Sequence, residues 1–546
     1  MTKSRQFITP AFLAGTFLLV CAITFYYFSV LKTNYRDSWL LDFGQADATQ
    51  YFAQAKALLK DGYPYLQIGY DKVPSVYPLG YPVLMLPWLK ILPQADSILA
   101  PYRTNQTIGL LLILVVFGFY AYLAMPFAGG LAALMVATLP GFFTFCRSPF
   151  SEISGTTVVV LAFMFAYLGL TEERRWKIYL SAVFLGLSLN IRLQLLFFAP
   201  LLLTMALFPA RGNRLRWCLH CSAIVLVFIV AASPLLVLNT IQFHSPLKTG
   251  YDYWFPALVE KHRLFSLRYV PTNLGRLWNE LTLGPLPDYM VARAYGTGTC
   301  FVPAFILLVC VGLLFIRLNG FVVCGALAGS SFLIAPLAFL FSKTDVRFYL
   351  PLLVLSISVA VLPLSWAAKN IVARKRLVAS LAIFMLFTMA CLGYPSGSRD
   401  SVETTRSQIW DALHFNTPPR RSLDFVAQRR FAERFGTQPG IVFSDISSPY
   451  LNVLLPDHFV AAPIDGKGYK GFSRIFQYDR PQAAALVQKA LAESVPVYAL
   501  FRFKEEANEK AERLPQVDGY VWITIDDPTA EPAVLRLSPA SSQTPP

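Results

Sequence analysis

Long apolar blocks constrain this sequence more than any other feature. Only 14% of its 546 residues are charged, whereas soluble globular domains are nearer a quarter, and the apolar residues are grouped. A helix that crosses a bilayer needs about 20 consecutive apolar residues. Eleven blocks reach or approach that length: 7–31, 105–125, 127–146, 155–170, 177–190, 192–208, 218–238, 300–316, 320–341, 347–364 and 377–394. The sequence therefore predicts an α-helical polytopic membrane protein with about eleven transmembrane helices.

Two parts of this pattern have alternative interpretations. The block 7–31 is too long for a signal-peptide core and ends without a small-residue cleavage site, so we expect it to remain as the first span. The blocks 177–190 and 192–208 are nearly continuous, and we separate them at the polar residues around Arg192. One tilted span is the alternative for that pair.

The positions of basic residues predict the orientation of the chain. Net charge is +15, and basic residues concentrate beside the N-terminus and in the connections 172–177, 211–216 and 369–376. The positive-inside rule places all of them in the cytoplasm only if the proline-rich stretch 77–92 does not cross the membrane. We therefore interpret 77–92 as a re-entrant or interfacial segment. This topology explains the positive charge better than nucleic-acid binding does, so we expect no nucleic-acid partner.

The same orientation predicts that the protein is lopsided. A multi-pass domain over residues 1–395, in contact with membrane lipid, carries long outer loops at 32–106 and 239–299. Residues 396–546 follow on the same outer face. We expect a plasma or inner membrane protein with an exported, periplasmic or otherwise extracytoplasmic C-terminal domain.

Residues 396–546 have the composition of a soluble domain. The predicted elements are strands over 440–445, 495–501 and 519–524, with a helix over 481–493. This order indicates a small α/β domain, without a disulfide framework because no cysteine follows Cys391. The last residues, Ser538–Pro546, are rich in serine and proline, and we expect them to be disordered.

The outer loop 32–106 holds a carboxylate in a position suited to chemistry. Residues 47–59 form a predicted helix, with Asp47 near its N-cap and Gly62 after its end. Tyr51 lies one turn further along the same face. A carboxylate at a membrane surface with apolar groups behind it can act as a general base. The alternative is that Asp47 only caps an interfacial helix.

The loop then continues with Tyr77-Pro-Leu-Gly-Tyr81-Pro. An Asp-x-x-x-Tyr-x-x-x-Ala helix followed by Tyr-Pro-x-Gly-Tyr-Pro resembles the first outer loop of the GT-C superfamily of membrane glycosyltransferases. Within that superfamily the motifs resemble those of bacterial relatives of dolichyl-phosphate-mannose–protein mannosyltransferases. The resemblance implies that Asp47 is a catalytic base, and we assign Tyr51, Tyr77 and Tyr81 to substrate binding.

Three later segments, within a resemblance that covers roughly residues 35–365, fit the same superfamily. Arg147-Ser-Pro-Phe-Ser-Glu152 places an acidic residue in the second outer turn, with Glu152 where members carry aspartate, and implies a second catalytic residue. Ser245-Pro-Leu-Lys-Thr-Gly-Tyr251-Asp-Tyr-Trp254 resembles a signature of bacterial members. Tyr251 and Trp254 are assigned to binding a sugar or a prenyl chain, with interfacial anchoring as the alternative. Lys343-Thr-Asp-Val-Arg347-Phe-Tyr-Leu-Pro resembles an element that opens a late span.

Three basic residues are candidates for binding the donor phosphate. Arg347 begins a predicted span on the outer face, where a guanidinium and a helix N-terminus together favour phosphate. Arg192 lies between two apolar runs at the same face. The alternatives are interaction with lipid headgroups for Arg347 and a structural ion pair with an outer-face carboxylate for Arg192. Lys343 is a second phosphate contact or a solvated turn residue.

Together these features predict an inverting glycosyltransferase. Its donor is a polyprenyl-phosphate sugar, and its acceptor, a glycan, a lipid or a protein, lies at the outer face. The chain has no glycine-rich phosphate loop, and no cofactor is required by the motifs. A divalent metal that bridges Asp47, Glu152 and phosphate is compatible with the chemistry, but no ligand spacing indicates one. The cluster Cys218, His220 and Cys221 lacks a second ligand pair and is assigned to packing.

Two other classes of function remain open at this point. A lipid or solute transporter would also carry charges near membrane depth, but paired halves with matching broken helices are missing from the sequence. A non-catalytic scaffold that binds prenyl-phosphate lipids would not need both Asp47 and Arg347. These residues favour the enzyme.

Overall fold

The structure of the protein is a computed structural model. It describes residues 10–32, 46–68, 71–207, 214–256, 266–275, 346–361, 430–435, 437–444, 459–464, 480–501, 504–525 and 533–543. The chain divides into two compact units, which we call the helical unit and the sheet-bearing unit. The helical unit comprises Met1–Thr33, Tyr102–Leu238 and Leu258–Thr417, and the sheet-bearing unit comprises Asn34–Pro101, Asn239–Ala257 and Pro418–Pro546.

The elements are numbered in chain order. The helices are α1 Pro10–Tyr26, α2 Ala46–Asp61, α3 Gly80–Ile91, α4 Ala100–Tyr122, α5 Pro126–Thr138, α6 Pro140–Cys146, α7 Glu152–Thr171, α8 Arg175–Ile191, α9 Pro200–Leu207, α10 Arg214–Phe243, α11 Gly250–Trp254, α12 Leu350–Ala360, α13 Arg480–Ala492 and α14 Lys504–Lys510. The strands are β1 Leu66–Ile68, β2 Asp71–Val73, β3 Gly440–Ser444, β4 Phe459–Pro463, β5 Val497–Phe501, β6 Tyr520–Thr524 and β7 Ala533–Pro539.

Four helices in the described part of the chain are long and apolar enough to cross a membrane. They are Pro10–Leu31, Asp96–Tyr122, Glu152–Thr171 and Arg214–Phe243. These helices support a membrane protein, but the predicted count of about eleven spans is not confirmed. The predicted spans 300–316, 320–341 and 377–394 lie outside the described residues.

Two predicted spans are broken in the structure rather than continuous. The block 127–146 divides at Leu139, which has an extended conformation, and Pro140 opens the next helix because proline cannot continue one. The block 192–208 divides into a 3₁₀ segment, Leu193–Phe198, and α9. The predicted separation at Arg192 is confirmed, since α8 ends at Ile191 and Arg192 is extended with φ −150° and ψ 123°.

Close backbone contact holds α1 against α5 in the helical unit. A Cβ atom built on Gly130 would lie 2.2 Å from the carbonyl oxygen of Gly15, so no side chain fits there. Small residues at such a crossing let two helices approach and gain dispersion contacts that lipid does not replace. A second core forms where α7 and α8 pack together through Phe163, Ala182 and Leu185.

The sheet-bearing unit contains a five-stranded mixed sheet in the order β4-β3-β5-β7-β6. Strands β4, β3 and β5 are parallel, whereas β7 pairs antiparallel with both β5 and β6. Strands β3 and β5 are buried along their whole length, as expected for parallel strands covered on both faces. Helix α13 packs on one face, and Phe431 packs on the other.

The sheet confirms three predicted strands and the predicted helix, and it adds two strands. Strand β4 is a short edge strand that ends in Pro463, and β7 lies beside the Ser/Pro-rich end, so neither carried a clear strand signal. The expected disorder of Ser538–Pro546 is wrong for its first part. Ser538 pairs with Val521, and a 3₁₀ turn over Ala540–Gln543 follows. The predicted domain boundary at residue 395 lies outside the described residues.

Candidate active site

Helix α2 places four polar or aromatic side chains on one face. Asp47, Gln50, Tyr51 and Gln54 follow the spacing of successive helical turns. The helix ends at Asp61, where Gly62 adopts φ +71° and its N–H donates to the carbonyl of Leu58 at 3.0 Å. The predicted helix and its glycine stop are therefore confirmed, and Asp47 lies in the first turn.

The segment 74–77, which follows strand β2, crosses this face of α2. The side-chain oxygen of Gln50 accepts hydrogen bonds from the Ser75 hydroxyl at 2.8 Å and from the Val76 N–H at 3.0 Å. Gln54 donates to the carbonyl of Tyr77 at 3.4 Å. Gln50 and Gln54 are both buried, so these bonds satisfy polar groups that water does not reach.

Tyr77 brings its phenol to the predicted base. Its hydroxyl donates a hydrogen bond to Oδ1 of Asp47. Burial raises the pKa of Tyr77 well above its usual value, and the nearby Asp47 carboxylate raises it further. The phenol therefore stays protonated at neutral pH and remains a donor to Asp47.

A cluster of tyrosine rings surrounds this hydrogen bond. The Tyr51 ring lies 5.0 Å from that of Tyr77 and 5.1 Å from that of Tyr81, between centroids. Tyr81 is fully buried and donates to the carbonyl of Pro101 at 3.2 Å. The structure thus brings Tyr51, Tyr77 and Tyr81 together beside Asp47, and Tyr51 and Tyr81 are packed inside the protein.

The segment around α11 packs against residues 74–77. Thr249 and Asp252 form a capping box at the start of α11. A Cβ atom on Gly250 would lie 2.2 Å from the Ser75 carbonyl oxygen. Trp254 is buried, and its indole N–H donates to the carbonyl of Pro74 at 2.9 Å. Trp254 therefore anchors the 74–77 segment, whereas half-buried Tyr251 lies 6.4 Å from the Tyr77 ring.

The helical unit holds the second group of predicted residues. Helix α7 begins at Glu152, and Asn105 fixes the preceding turn by donating to the carbonyls of Ser148 at 2.7 Å and Phe150 at 2.6 Å. Arg192 at the end of α8 forms an ion pair with Glu152, with 2.5 Å between Nη1 and Oε1. The Glu152 side chain is 2% exposed and that of Arg192 is 10% exposed. The ion pair with an acidic residue, which was the alternative interpretation of Arg192, is thus present in the structure.

The segment that contains Arg347 lies beside this ion pair. Val346–Tyr349 is a 3₁₀ turn that leads into α12, and the Arg192 guanidinium lies 5.7 Å from the centroid of the Phe348 ring. The side chain of Arg347 and the whole of Lys343 lie outside the described residues. The structure therefore brings the ion pair of Glu152 and Arg192 close to Phe348, the residue that follows Arg347 in this turn.

In the described residues, no group of three His, Cys, Asp or Glu side chains is arranged to hold a metal ion. Glu152 forms an ion pair with Arg192. In the cysteine cluster, a ring nitrogen of His220 lies 3.2 Å from the Tyr179 hydroxyl, and Cys221 lies 3.7 Å from the Ala206 carbonyl oxygen. These contacts agree with the assignment to packing.

The sequence interpretation missed Gln50, Gln54 and Ser75. A signal for two of them was present, because Gln50 and Gln54 recur three and seven residues after Asp47 on the face that carries Tyr51. Polar residues on such a face need partners when they are buried. The partner segment lies 25 residues away in the chain, and spacing alone does not identify it.

No protein-family model matches the sequence, and no curated protein matches it either. Solved structures do. The structure of ArnT from Cupriavidus metallidurans bound to undecaprenyl phosphate has a TM-score of 0.62 and 12% identity, over 97% of this chain and 99% of that one. The archaeal oligosaccharyltransferase AglB from Archaeoglobus fulgidus, in complex with an inhibitory peptide and a dolichol-phosphate, has a TM-score of 0.53 and 13% identity, over 97% and 75%.

At these identities the similarity is one of fold. The chain has the fold of the GT-C membrane glycosyltransferases, over almost its whole length. The resemblance inferred from the short motifs is confirmed at that level.

Proposed function

We propose that this protein is a membrane glycosyltransferase that takes its sugar from a polyprenyl-phosphate carrier. The observation that carries the proposal is the similarity of fold, over 97% of this chain, to a structure that holds undecaprenyl phosphate. The similar AglB structure holds a dolichol-phosphate. Both ligands are polyprenyl phosphates, so the proposal gives this chain a donor of the same chemical class.

The proposed reaction is one displacement with inversion at the anomeric carbon. A nucleophilic oxygen or nitrogen of the acceptor attacks that carbon while its bond to the phosphate oxygen breaks. Polyprenyl phosphate leaves with the electron pair, and Asp47 accepts the proton that the acceptor loses. Arg347 and Arg192, with Lys343 as a further contact, stabilise the negative charge that develops on the phosphate.

The other predicted residues take supporting roles in this proposal. Glu152 orients the guanidinium of Arg192 through their ion pair, which suits this residue better than proton transfer does. Among the predicted substrate-binding residues, half-buried Tyr251 is the one best suited to touch the substrate. Trp254 and the buried tyrosines hold the surrounding structure in place.

The proposal includes an orientation in the membrane. The N-terminus and the basic connections lie in the cytoplasm, and residues 396–546 lie outside. Reporter fusions at Gly212 and Ser396 should therefore give opposite results, inside for Gly212 and outside for Ser396. The same side for both positions would reject the proposed topology.

Arg347 tests whether the chain binds a polyprenyl phosphate. Arg347→Ala should weaken binding of undecaprenyl phosphate by about 10- to 150-fold, because a charge-assisted hydrogen bond contributes roughly 1.5–3 kcal/mol. Arg347→Lys should restore part of the affinity, since lysine keeps the charge but not the planar fork. The affinity is measured as thermal stabilisation of the purified full-length protein across an undecaprenyl phosphate titration.

The control for this measurement is an exposed arginine at the start of α10. Arg214→Ala should leave the stabilisation by undecaprenyl phosphate unchanged, because Arg214 lies in a connection predicted to face the cytoplasm. Equal affinities for wild type and Arg347→Ala would remove Arg347 from the proposed site. A wild-type protein that undecaprenyl phosphate does not stabilise would contradict the proposed donor class.

A further inference from the structure

The 74–77 segment is anchored at every residue. The carbonyl of Pro74 accepts from Trp254, the Ser75 hydroxyl donates to Gln50, and the Val76 N–H donates to the same glutamine oxygen. Both backbone polar groups of Tyr77 are hydrogen-bonded. Its N–H donates to the Ser75 hydroxyl at 3.1 Å, and its carbonyl accepts from Gln54. These hydrogen bonds restrain the backbone of the segment relative to α2 and α11.

Helix α11 closes the segment from another side. A Cβ on Gly250 would lie 2.2 Å from the Ser75 carbonyl oxygen and 2.4 Å from the Val76 Cα. Both obstacles are backbone atoms, which cannot move aside as a flexible side chain does. The close fit to α11, together with the hydrogen bonds to Gln50 and Gln54 of α2, restrains the segment from which the Tyr77 phenol extends.

Tyr77 reaches Asp47 through its hydroxyl. Its ring is fixed by the Tyr51 ring at 5.0 Å and the Tyr251 ring at 6.4 Å. The torsion about the last side-chain bond of an aspartate has a broad energy profile, so hydrogen bonds to the carboxylate set its orientation. A donor of fixed direction on Oδ1 therefore restricts the plane of the Asp47 carboxylate.

We infer that Tyr77 is a positioning residue, which fixes the carboxylate plane of Asp47 for proton transfer and is itself held in place by Gln50 and α11. This inference rests on the proposed role of Asp47 as the base. It assigns Tyr77 a task other than substrate binding, and it adds Gln50 to the residues on which the reaction depends. Proton transfer is sensitive to such alignment, and a displacement of about 1 Å can cost on the order of 100-fold in rate.

A double-mutant cycle tests the inference. Membranes of the native host carry the full-length chain as wild type, Tyr77→Phe, Asp47→Asn or both, and mass spectrometry follows the loss of endogenous polyprenyl-phosphate-linked sugar. Tyr77→Phe should slow this loss by about 10- to 100-fold when Asp47 is present. In the Asp47→Asn background the same change should cost less than about twofold, because Tyr77 acts through the carboxylate.

Matched variants separate positioning from folding. Tyr65→Phe is the control, because Tyr65 donates to Asp61 at 2.6 Å at the other end of α2, and it should leave the rate unchanged. Gln50→Met removes the two hydrogen bonds that Gln50 accepts from Ser75 and Val76, and it should lose activity only in the presence of Asp47. Melting temperatures of the purified variants show whether they fold. If Tyr77→Phe does not fold, the corresponding cycle with Gln50→Met and Asp47→Asn decides the inference.

The outcomes are distinct. The same loss from Tyr77→Phe in both backgrounds would mean that the residue acts on the substrate or on packing, and it would overturn the inference. So would a wild-type rate for Tyr77→Phe. Full activity of Asp47→Asn would instead reject Asp47 as the base, and the positioning role of Tyr77 with it.

Discussion

Replacement of Asp47 by asparagine should lower sugar transfer by about two to four orders of magnitude while the protein still folds and binds donor. Asparagine keeps the shape of the side chain and still accepts the hydrogen bond from Tyr77, but it cannot take a proton. It also favours the start of a helix about as well as aspartate does, so a role in capping alone predicts almost no change. Turnover of the lipid-linked donor in membranes that carry each variant measures the difference.

Asp61 provides the control for this substitution. It lies on the same helix, about 21 Å further along its axis, and it also accepts a hydrogen bond from a tyrosine. Lys72 and Tyr65 hold the pKa of Asp61 below its usual value, so its carboxylate is ionised at neutral pH. Asp61→Asn should leave transfer near the wild-type rate. Near-normal transfer by folded Asp47→Asn protein would move the search for the base to two other acidic residues. These are Glu152 and Asp42, which lies five residues before Asp47 in the outer loop 32–106.

Disruption of the ion pair between Glu152 and Arg192 should have the largest effect on stability. Both side chains are buried, and Glu152→Gln removes the negative charge that faces the Arg192 guanidinium in a region of low dielectric. The loss of one partner of a buried pair typically costs about 3–5 kcal/mol. A marked fall in the melting temperature of the purified protein should follow, together with loss of transfer.

A neutral double variant and an exposed ion pair complete this test. Glu152→Gln combined with Arg192→Met removes both charges and should recover part of the stability without recovering transfer. Asp61→Asn breaks the exposed ion pair with Lys72, in which Oδ2 of Asp61 and Nζ of Lys72 lie 2.7 Å apart. This change should alter the melting temperature little. A Glu152→Gln protein as stable as wild type would show that the pair does not hold α7 and α8 together.

The local features of the candidate site were predictable from sequence because they follow helical geometry. The position of Asp47 in the first turn of α2, the alignment of Tyr51 with it and the stop at Gly62 all follow from local spacing. The order of the short motifs also resembles that of the GT-C superfamily, and the similarity of fold to solved structures agrees with it. Strands β3 and β5 are continuous apolar runs, and such runs predict buried strands from local sequence alone.

The remaining features depend on contacts between distant parts of the chain. Glu152 and Arg192 are 40 residues apart, and spacing does not distinguish an ion pair from two independent sites. The role of Gly250 is visible only once the Ser75 backbone lies against it. Trp254 has the composition of a sugar platform, yet its indole faces the carbonyl of Pro74, because a buried N–H needs an acceptor.

The hydropathy pattern also does not predict where the helices end. Pro140 is apolar and does not interrupt a hydrophobic block, but it ends the helix before it. Arg192 lies in an almost continuous apolar run, yet it is extended and ends α8. A count of apolar blocks therefore does not by itself give the number of continuous helices.

The most direct test of the proposed activity is the lipid content of cells in which the base is disabled. Lipid extracts of a host that carries only wild type, Asp47→Asn or Asp61→Asn are compared by mass spectrometry. If Asp47 drives transfer from a polyprenyl-phosphate sugar, that lipid-linked sugar should accumulate in the Asp47→Asn strain alone. Identical pools of lipid-linked sugars in all three strains would contradict the proposed function.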